Sequence, residues 1–266
     1  SFIESSWRLK GDGALMTDRL VRGVGQQGGR VVCGAEVVEL VEKCGRLSAA
    51  VCRDGEVYEG AVFISDVHPG QTCKLVKQSE RMKNAYRHRM AGLPNTFGMF
   101  TVSLRMKPRA LEYFNYNRYV YAHPGVWTFY EEEEPVSGVM VACRVPEDGS
   151  RFASQVDLLT PMPWERCMPW SNTKVEDYEA MKRRVADECI RLAERVVPGL
   201  LGWVAECYAS TPLTYRDYTG APEGTAYGLR KDYRNPLVSL LSVRTPVPNL
   251  FLTGQNLMLH GVYGVT

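Results

Sequence analysis

The sequence predicts an α/β or α+β fold built from more than one unit, and three observations carry this prediction. Short strands punctuated by glycine fill residues 31–65, a strand-rich aromatic stretch covers residues 96–145, and a long amphipathic helix covers residues 174–197. With 266 residues, of which 45% are hydrophobic and 23% charged, the chain can bury one large core or two smaller ones.

The first element is a predicted helix that ends at two glycines. Met16, Leu20 and Val24 lie four residues apart, and Gly28-Gly29 supplies the left-handed geometry that ends a helix. Residues 23–28 also match the pattern GxGxxG. That pattern binds a pyrophosphate only when a strand precedes it and a helix follows it. Here the order is reversed, so we interpret these glycines as a helix end.

A series of short strands follows the first helix. Asp54-Gly55 lies between two apolar runs, which is a strong signal for a hairpin turn. The predicted strands are residues 31–33, 37–41, 47–52, 57–58 and 62–65.

Two further helices are predicted, at residues 79–90 and 174–197. Thr173 and Glu176 have the spacing of a capping box at the start of the second of these helices. One apolar stripe runs along it, which indicates packing against a core. The stripe consists of Tyr178, Met181, Val185, Cys189, Leu192 and Val196.

Composition argues against several classes of function. Lys and Arg number 32 against 30 Asp and Glu, and the balanced charge does not favour nucleic-acid binding. The eight cysteines form no CxxC pair and have no ligand spacing to the four histidines, so we expect no metal site and no disulfide framework. This fits a reducing, cytoplasmic location. No apolar run reaches the length of a spanning helix, while peripheral membrane contact stays open.

Three stretches carry a family resemblance. Residues 11–69 combine the helix end with a Val-Val strand and the run Phe-Ile-Ser-Asp-Val-His-Pro at 63–69. Residues 210–229 contain Thr-Pro, Arg-Asp-Tyr and Tyr-Gly, and residues 249–265 contain Leu-Thr-Gly-Gln-Asn followed by His-Gly-Val-Tyr-Gly. Together they resemble the FAD-dependent amine-oxidase-type superfamily, in its phytoene desaturase, carotenoid isomerase and retinol saturase branch.

The resemblance implies a domain arrangement. Residues 1–75 and 215–266 are expected to form a partial FAD-binding domain that lacks the N-terminal Rossmann βαβ unit. Residues 76–214 are expected to form a substrate domain with a mixed β-sheet flanked by helices. Because the N-terminal phosphate-binding strand, glycine loop and helix are absent from this sequence, and Thr266 falls where a last helix should begin, we expect a fragment that is inactive alone.

The resemblance also implies positions for a site. The backbone of Val37 is expected to face the adenine, and Ser65 and Asp66 to lie near the adenosine or pyrophosphate. Gly254 and Gln255 are expected near the ribityl and pyrophosphate. Gly261, Val262 and Tyr263 are expected near the isoalloxazine, where His260 or Tyr263 could assist protonation of a substrate carbon. His260 could equally fix a loop.

The intact enzyme is expected to transfer hydride between FAD and a hydrophobic polyene or isoprenoid, with NAD(P) as a candidate electron partner. The aromatic residues of the middle stretch either line the substrate pocket or form the core of a sheet. Trp164 and Trp170 either cover a pocket or pack on the long helix. A homodimer is a candidate assembly. The alternatives are a flavin amine oxidase, which would need two facing aromatic rings beside the flavin, and a non-catalytic domain that binds a hydrophobic ligand.

Overall fold

The computed structural model describes residues 8–10, 13–127, 136–236 and 240–261. Within these ranges the chain forms helices and strands in a mixed order. The helices are α1 (Ala14–Gln26), α2 (Pro69–Leu75), α3 (Asn84–Ala91), α4 (Trp164–Cys167), α5 (Val175–Ala193), α6 (Leu200–Trp203) and α7 (Pro212–Thr219). The strands are β1 (Val37–Lys43), β2 (Arg46–Cys52), β3 (Val57–Glu59), β4 (Phe63–Ser65), β5 (Gly98–Met106), β6 (Asn117–Tyr121), β7 (Gly138–Cys143), β8 (Gln155–Met162), β9 (Val204–Ser210) and β10 (Leu250–Leu252). This confirms the prediction of a mixed α/β architecture.

The elements divide into two units. Unit 1 combines the residues up to Val31 with Met99–Leu213, and unit 2 combines Val32–Gly98 with the residues from Thr214 onward. Unit 2 extends to Gly98, since Met90 and Leu93 are buried in the same core as Leu250 and Leu252 of β10. The domain bounds predicted at residues 75 and 214 stay predictions. The roles predicted for the segments, a cofactor domain and a substrate domain, stay predictions.

Unit 1 is organised around a five-stranded sheet in the order β6-β7-β8-β5-β9. Along β5, Phe100, Val102 and Leu104 are fully buried and alternate with less buried residues, which is the pattern of a sheet that packs one face on a core. Helix α5 contributes the predicted apolar stripe to this core. Met181, Val185, Cys189 and Leu192 are all buried there, and Tyr178 and Val196 pack at its border.

Two predictions for the surroundings of α5 are decided by the structure. The capping box is wrong, because α5 begins at Val175 without a side-chain cap and the Thr173 hydroxyl donates instead to the carbonyl of Trp170 (3.0 Å). Trp164 and Trp170 are partly buried against the core of unit 1. Of the two roles considered for these tryptophans, packing is the one that the structure shows.

Helix α1 ends as predicted. It extends to Gln26, and Gly28 follows with a φ of +79°, the left-handed conformation that closes a helix. The strand predicted at residues 31–33 is wrong. Val31 and Val32 are 50% and 44% exposed and form no strand, because no neighbouring strand in the described part of the chain pairs with them.

Unit 2 contains two small sheets. The first is the antiparallel meander β1-β2-β3, whose second turn is the predicted Asp54-Gly55 hairpin, with Gly55 at a φ of +92°. The second pairs β4 with β10 in parallel, although 184 residues, 66–249, lie between Ser65 and Leu250. Parallel strands need a long crossover connection, and here that connection contains all of β5–β9.

The helices of unit 2 differ from the prediction. Helix α2 was not predicted, and α3 begins at Asn84 instead of residue 79. The Ser79 hydroxyl accepts hydrogen bonds from the N–H groups of Arg81 (3.1 Å) and Met82 (2.8 Å). Ser79 thus forms a turn with its own backbone in place of a helix.

The buried side chain of Asn249 joins the two sheets of unit 2. Its Oδ1 accepts from the N–H of Leu47 (2.9 Å), and its Nδ2 donates to the carbonyls of Leu47 and Ala61 (2.9 Å each). Its own carbonyl accepts from the N–H of Phe63 (2.8 Å), which begins the pairing of β10 with β4. One residue therefore sets the start of β2, β4 and β10.

Asn249→Leu should lower the free energy of unfolding by roughly 3 kcal/mol or more, since it leaves buried polar backbone groups without partners. Urea unfolding at constant pH measures this change. Asn172→Leu, at an exposed position of unit 1, is the matched control and should change stability little. A small and equal effect of the two substitutions would contradict the role of Asn249.

His68 begins α2 as its N-cap. The N–H of Gly70 donates to Nδ1 of His68 (3.1 Å), so the ring proton lies on Nε2, which contacts Oδ1 of Asn95 (3.0 Å). Burial lowers the pKa of His68 below its ordinary value of 6.5, and the hydrogen bond with Asn95 opposes this shift. The folded protein therefore holds His68 in its neutral form.

A pH dependence of stability follows from this lowered pKa. As the pH falls below about 6.5, the unfolded chain binds a proton at His68 before the folded protein does, so stability decreases until the folded pKa is reached. Between pH 7 and pH 5, the wild type should lose more stability than His68→Asn, which keeps a capping side chain but does not titrate. Parallel losses in the two proteins, measured by urea unfolding, would exclude this assignment.

Candidate functional site

The carboxyl ends of β4 and β10 lie side by side in unit 2. Leu252 pairs with Ser65, and the N–H of Thr253 donates to the carbonyl of Ser65 (3.0 Å). The segments that leave the two strands, Ser65–His68 and Thr253–Asn256, therefore begin at the same edge. Open α/β sheets bind ligands outside the carboxyl ends of parallel strands. This edge is the candidate site.

Gly254 and Asp66 are the residues that approach most closely there. Gly254 is buried and has a φ of +88°, which disfavours any side chain. A Cβ atom at this position would lie 1.8 Å from Oδ1 of Asp66. The positive φ favours glycine at this position, and the exposed carboxylate of Asp66 lies directly against its backbone.

Thr72 of α2 holds Ser65 in place. The Ser65 hydroxyl lies 2.8 Å from the hydroxyl of Thr72, which in turn lies within hydrogen-bonding distance of the Val67 (3.1 Å) and His68 (3.3 Å) carbonyls. Thr72 is 1% exposed. These contacts hold the backbone on both sides of Asp66.

The turn after Gly254 is held by the segment 228–231. Oδ1 of Asn256 accepts from the N–H of Leu229 (3.1 Å), and Nε2 of His260 donates to the carbonyl of Leu229 (2.9 Å). Nζ of Lys231 donates to the carbonyls of Asn256 (2.6 Å) and Leu257 (2.7 Å). Side chains from both segments thus connect them.

The predicted site residues are only partly brought together. Ser65, Asp66, Gly254 and Gln255 lie at the joined strand ends, whereas Val37 begins β1 in the other sheet of unit 2. Gly261 ends the described turn with a φ of +65°. Val262 and Tyr263 lie outside the described residues. His260 contacts the Leu229 carbonyl, the contact expected if it fixes a loop. The cofactor and catalytic roles of all these residues stay predictions.

Several residues of this site were not predicted from the sequence. Asn256, Lys231 and His68 bind backbone groups at or next to the site, and Asn95 contacts the His68 ring, but the four residues come from separate parts of the chain. The one local signal is the polar run Gly-Gln-Asn directly after β10. The partners of Asn256 and Lys231 follow only from the tertiary contact between segments 25 or more residues apart.

Unit 1 carries an open cleft of about 760 Å³ at one end of its sheet. Arg105, Lys107, Arg109 and Arg144 contribute to its lining together with Glu147 and Asp148. Arg105 is paired with Glu206 (2.9 Å) and Arg144 with Asp157 (3.0 Å). A cleft with so many charged side chains is not suited to an apolar ligand, so it does not correspond to the predicted polyene pocket.

In the described ranges, every helix is either too short or too polar to cross a membrane.

Sequence comparison finds relatives that cover part of the chain. The chain is 31% identical over 125 residues to the human all-trans-retinol 13,14-reductase and 30% identical over 125 residues to that of Macaca fascicularis. Each match covers 44% of this chain and 20% of the relative, so the chain matches about a fifth of the length of these relatives. No protein-family model matches the chain.

Solved structures share the fold over almost the whole chain. An oxidoreductase from Methanosarcina mazei matches with a TM-score of 0.54 at 14% identity, covering 93% of this chain and 50% of that protein. The cyclohexylamine oxidase of Brevibacterium oxydans matches with a TM-score of 0.51 at 11% identity, covering 92% of this chain and 47% of that protein. The sequence similarity to the retinol reductases confirms the predicted resemblance to the FAD-dependent oxidoreductase superfamily. The two solved oxidoreductases share the fold of the chain.

Proposed function

We propose that this chain forms one half of an FAD site in an oxidoreductase that acts on a hydrophobic polyene or isoprenoid. The observation that carries the proposal is the parallel pair β4–β10, whose carboxyl ends bring Asp66 against Gly254. When bound, FAD would supply the hydride-transfer chemistry. The residues of the chain would bind and orient it.

The residues at the strand ends suit the hydroxyl-bearing part of a dinucleotide. The Asp66 carboxylate is exposed and can only accept hydrogen bonds when ionised, so it fits ribose or ribityl hydroxyls and would repel a pyrophosphate. Gly254 has no side chain, which leaves room for the Asp66 carboxylate beside its backbone. Gln255 is half-buried and offers both a donor and an acceptor. We therefore assign Asp66 to a cofactor hydroxyl and the Gly254–Gln255 backbone to its neighbourhood.

The remaining half of the site would come from residues that cover β4. Val62, Ile64 and Val67 around this strand are 58%, 72% and 45% exposed, and exposed apolar side chains of this number mark a surface that binds another segment or chain. In the proposal they face the phosphate-binding part of the fold. A homodimer that covers them, and peripheral contact with a membrane that supplies an apolar substrate, are further proposals. Nucleic acid is not a proposed partner.

The sequence relatives support the proposed substrate class. The curated relatives are named for all-trans-retinol, a polyene, and their similarity extends to the sequence. An amine substrate is the second candidate, since the cyclohexylamine oxidase shares the fold. Among the described residues, Tyr227 packs against Phe97, with the rings nearly perpendicular at 86° and their centroids 6.4 Å apart, and against His260, with the rings tilted by 31° and their centroids 5.8 Å apart. Neither contact is the pair of facing aromatic rings expected beside the flavin of an amine oxidase. The comparisons give no support for NAD(P), which we leave out of the proposal.

The assignment of Gly254 predicts a loss of cofactor binding in Gly254→Ala. The added methyl group must displace Asp66 and strain a left-handed backbone, so FAD affinity and stability should both fall. Gly55→Ala is the matched control, since Gly55 has a similar φ of +92° but open space around a Cβ atom. FAD titration and urea unfolding of the protein expressed from its complete coding sequence measure both effects. Equal FAD affinities in the two variants would exclude Gly254 from the cofactor site.

The proposed activity predicts a bound flavin and a choice of substrate. The protein expressed from its complete coding sequence should show the visible absorption of oxidised flavin and release FAD on denaturation. After chemical reduction without oxygen, all-trans-retinol should restore the oxidised spectrum with formation of a saturated product. Cyclohexylamine should leave the oxidised flavin unchanged. A colourless protein that takes up no FAD would disprove the proposal, and bleaching of the oxidised flavin by the amine would favour the amine oxidase alternative.

A further inference from the structure

We infer that Lys231 is a positioning residue that fixes the turn Gly254–Met258 for the cofactor. The inference rests on the proposed function, because the importance of this turn comes from the FAD that it would face. Lys231 is not a residue that the family resemblance singled out, and it lies outside the predicted site residues.

One ammonium group holds two consecutive carbonyls of the turn. Nζ of Lys231 lies 2.6 Å from the carbonyl oxygen of Asn256 and 2.7 Å from that of Leu257. The N–H of Leu257 donates back to the carbonyl of Gly254 (3.3 Å), so the lysine closes the turn that begins at Gly254. Two carbonyls that converge on one point suit the compact head of a lysine, which has three donors.

The ammonium group acts from a partly buried position. The side chain of Lys231 is half-buried, and burial lowers its pKa to about 8. A charge withdrawn from water forms stronger hydrogen bonds with the carbonyls that surround it. The contact is therefore stronger than that of a surface lysine which reaches a carbonyl by chance.

Neighbouring contacts fix the segment from which Lys231 acts. Asn256 and His260 bind the N–H and the carbonyl of Leu229, two residues before Lys231. Gly228 is also buried, and a Cβ atom there would lie 2.2 Å from Oδ1 of Asn256. Because the backbone at 228–229 cannot shift without disturbing Asn256, the base of the lysine side chain is fixed. Through its hydrogen bonds to the Asn256 and Leu257 carbonyls, Lys231 can then hold the adjacent residues Gly254 and Gln255 in place.

The test uses Lys231→Met in the protein expressed from its complete coding sequence. FAD affinity should fall by about tenfold or more, the cost of leaving two turn carbonyls without a charged donor. Hydrogen exchange of the amides at 254–258 in the cofactor-free protein should become faster. Lys77→Met is the matched control: it also removes a lysine of unit 2, one that pairs with Glu39 at 2.9 Å. It should change neither quantity.

Conservative variants separate positioning from a merely structural role. Lys231→Arg keeps a positive charge and donors for the carbonyls, so it should recover most of the FAD affinity. If Lys231 only filled space, restoring the charge with arginine would not restore the affinity. Lys231→Gln keeps a donor without the charge and should give an intermediate affinity, which preserves the test if the methionine variant does not fold.

The possible outcomes distinguish this inference from the proposed function. Unchanged exchange at 254–258 in Lys231→Met, or an FAD affinity within twofold of Lys77→Met, would overturn the inference while the FAD site stands. A wild-type protein that binds no FAD would overturn the proposed function and the cofactor part of the inference together. Hydrogen exchange would still decide whether Lys231 holds the turn.

Discussion

The buried amide of Asn249 is the contact on which the candidate site depends. It binds both backbone groups of Leu47 and the carbonyl of Ala61, and its own carbonyl starts the pairing of β10 with β4. The two strands are short, and the 184 residues 66–249 separate them in the chain. The three residue pairs between β4 and β10 therefore need additional support to hold the strands together. The contacts of Asn249, which lie several residues before Asp66 and Gly254 in the two segments, therefore bring these two residues close together.

The sequence was informative where structure is determined locally. Short apolar runs located β1, β2, β3 and β4, and the glycines at 28 and 55 marked a helix end and a hairpin, because glycine adopts a positive φ without strain. Ser65, Asp66, Gly254 and Gln255 were indicated by the family resemblance and not by these local signals. The structure brings them together because the carboxyl ends of the parallel strands β4 and β10 meet at one edge.

The sequence was uninformative where the contact partner lies far away. Thr173 has the spacing of a capping residue, yet its hydroxyl binds the preceding turn. The apolar residues at 31–33 have the composition of a strand but no strand beside them. The role of Lys231 could not be predicted because its partners, 25 and 26 residues later, depend on how two loops pack. Periodicity describes which face of an element is buried, and it cannot describe which loop a polar side chain will reach.

Two glycines show why the candidate site must be rigid in one place and open in another. At Gly228 a methyl group would meet the amide of Asn256, and at Gly254 it would meet the carboxylate of Asp66. Asn256 is 7% exposed and bound to Leu229, so the first glycine belongs to the supporting structure. Asp66 is exposed, so the carboxylate beside the second glycine lies at a surface that a ligand can reach. Binding sites need a supporting layer that fixes the residues in contact with the ligand. In the proposed site the support consists of Asn249, Asn256 and Lys231, and the layer in contact with a ligand begins at Asp66.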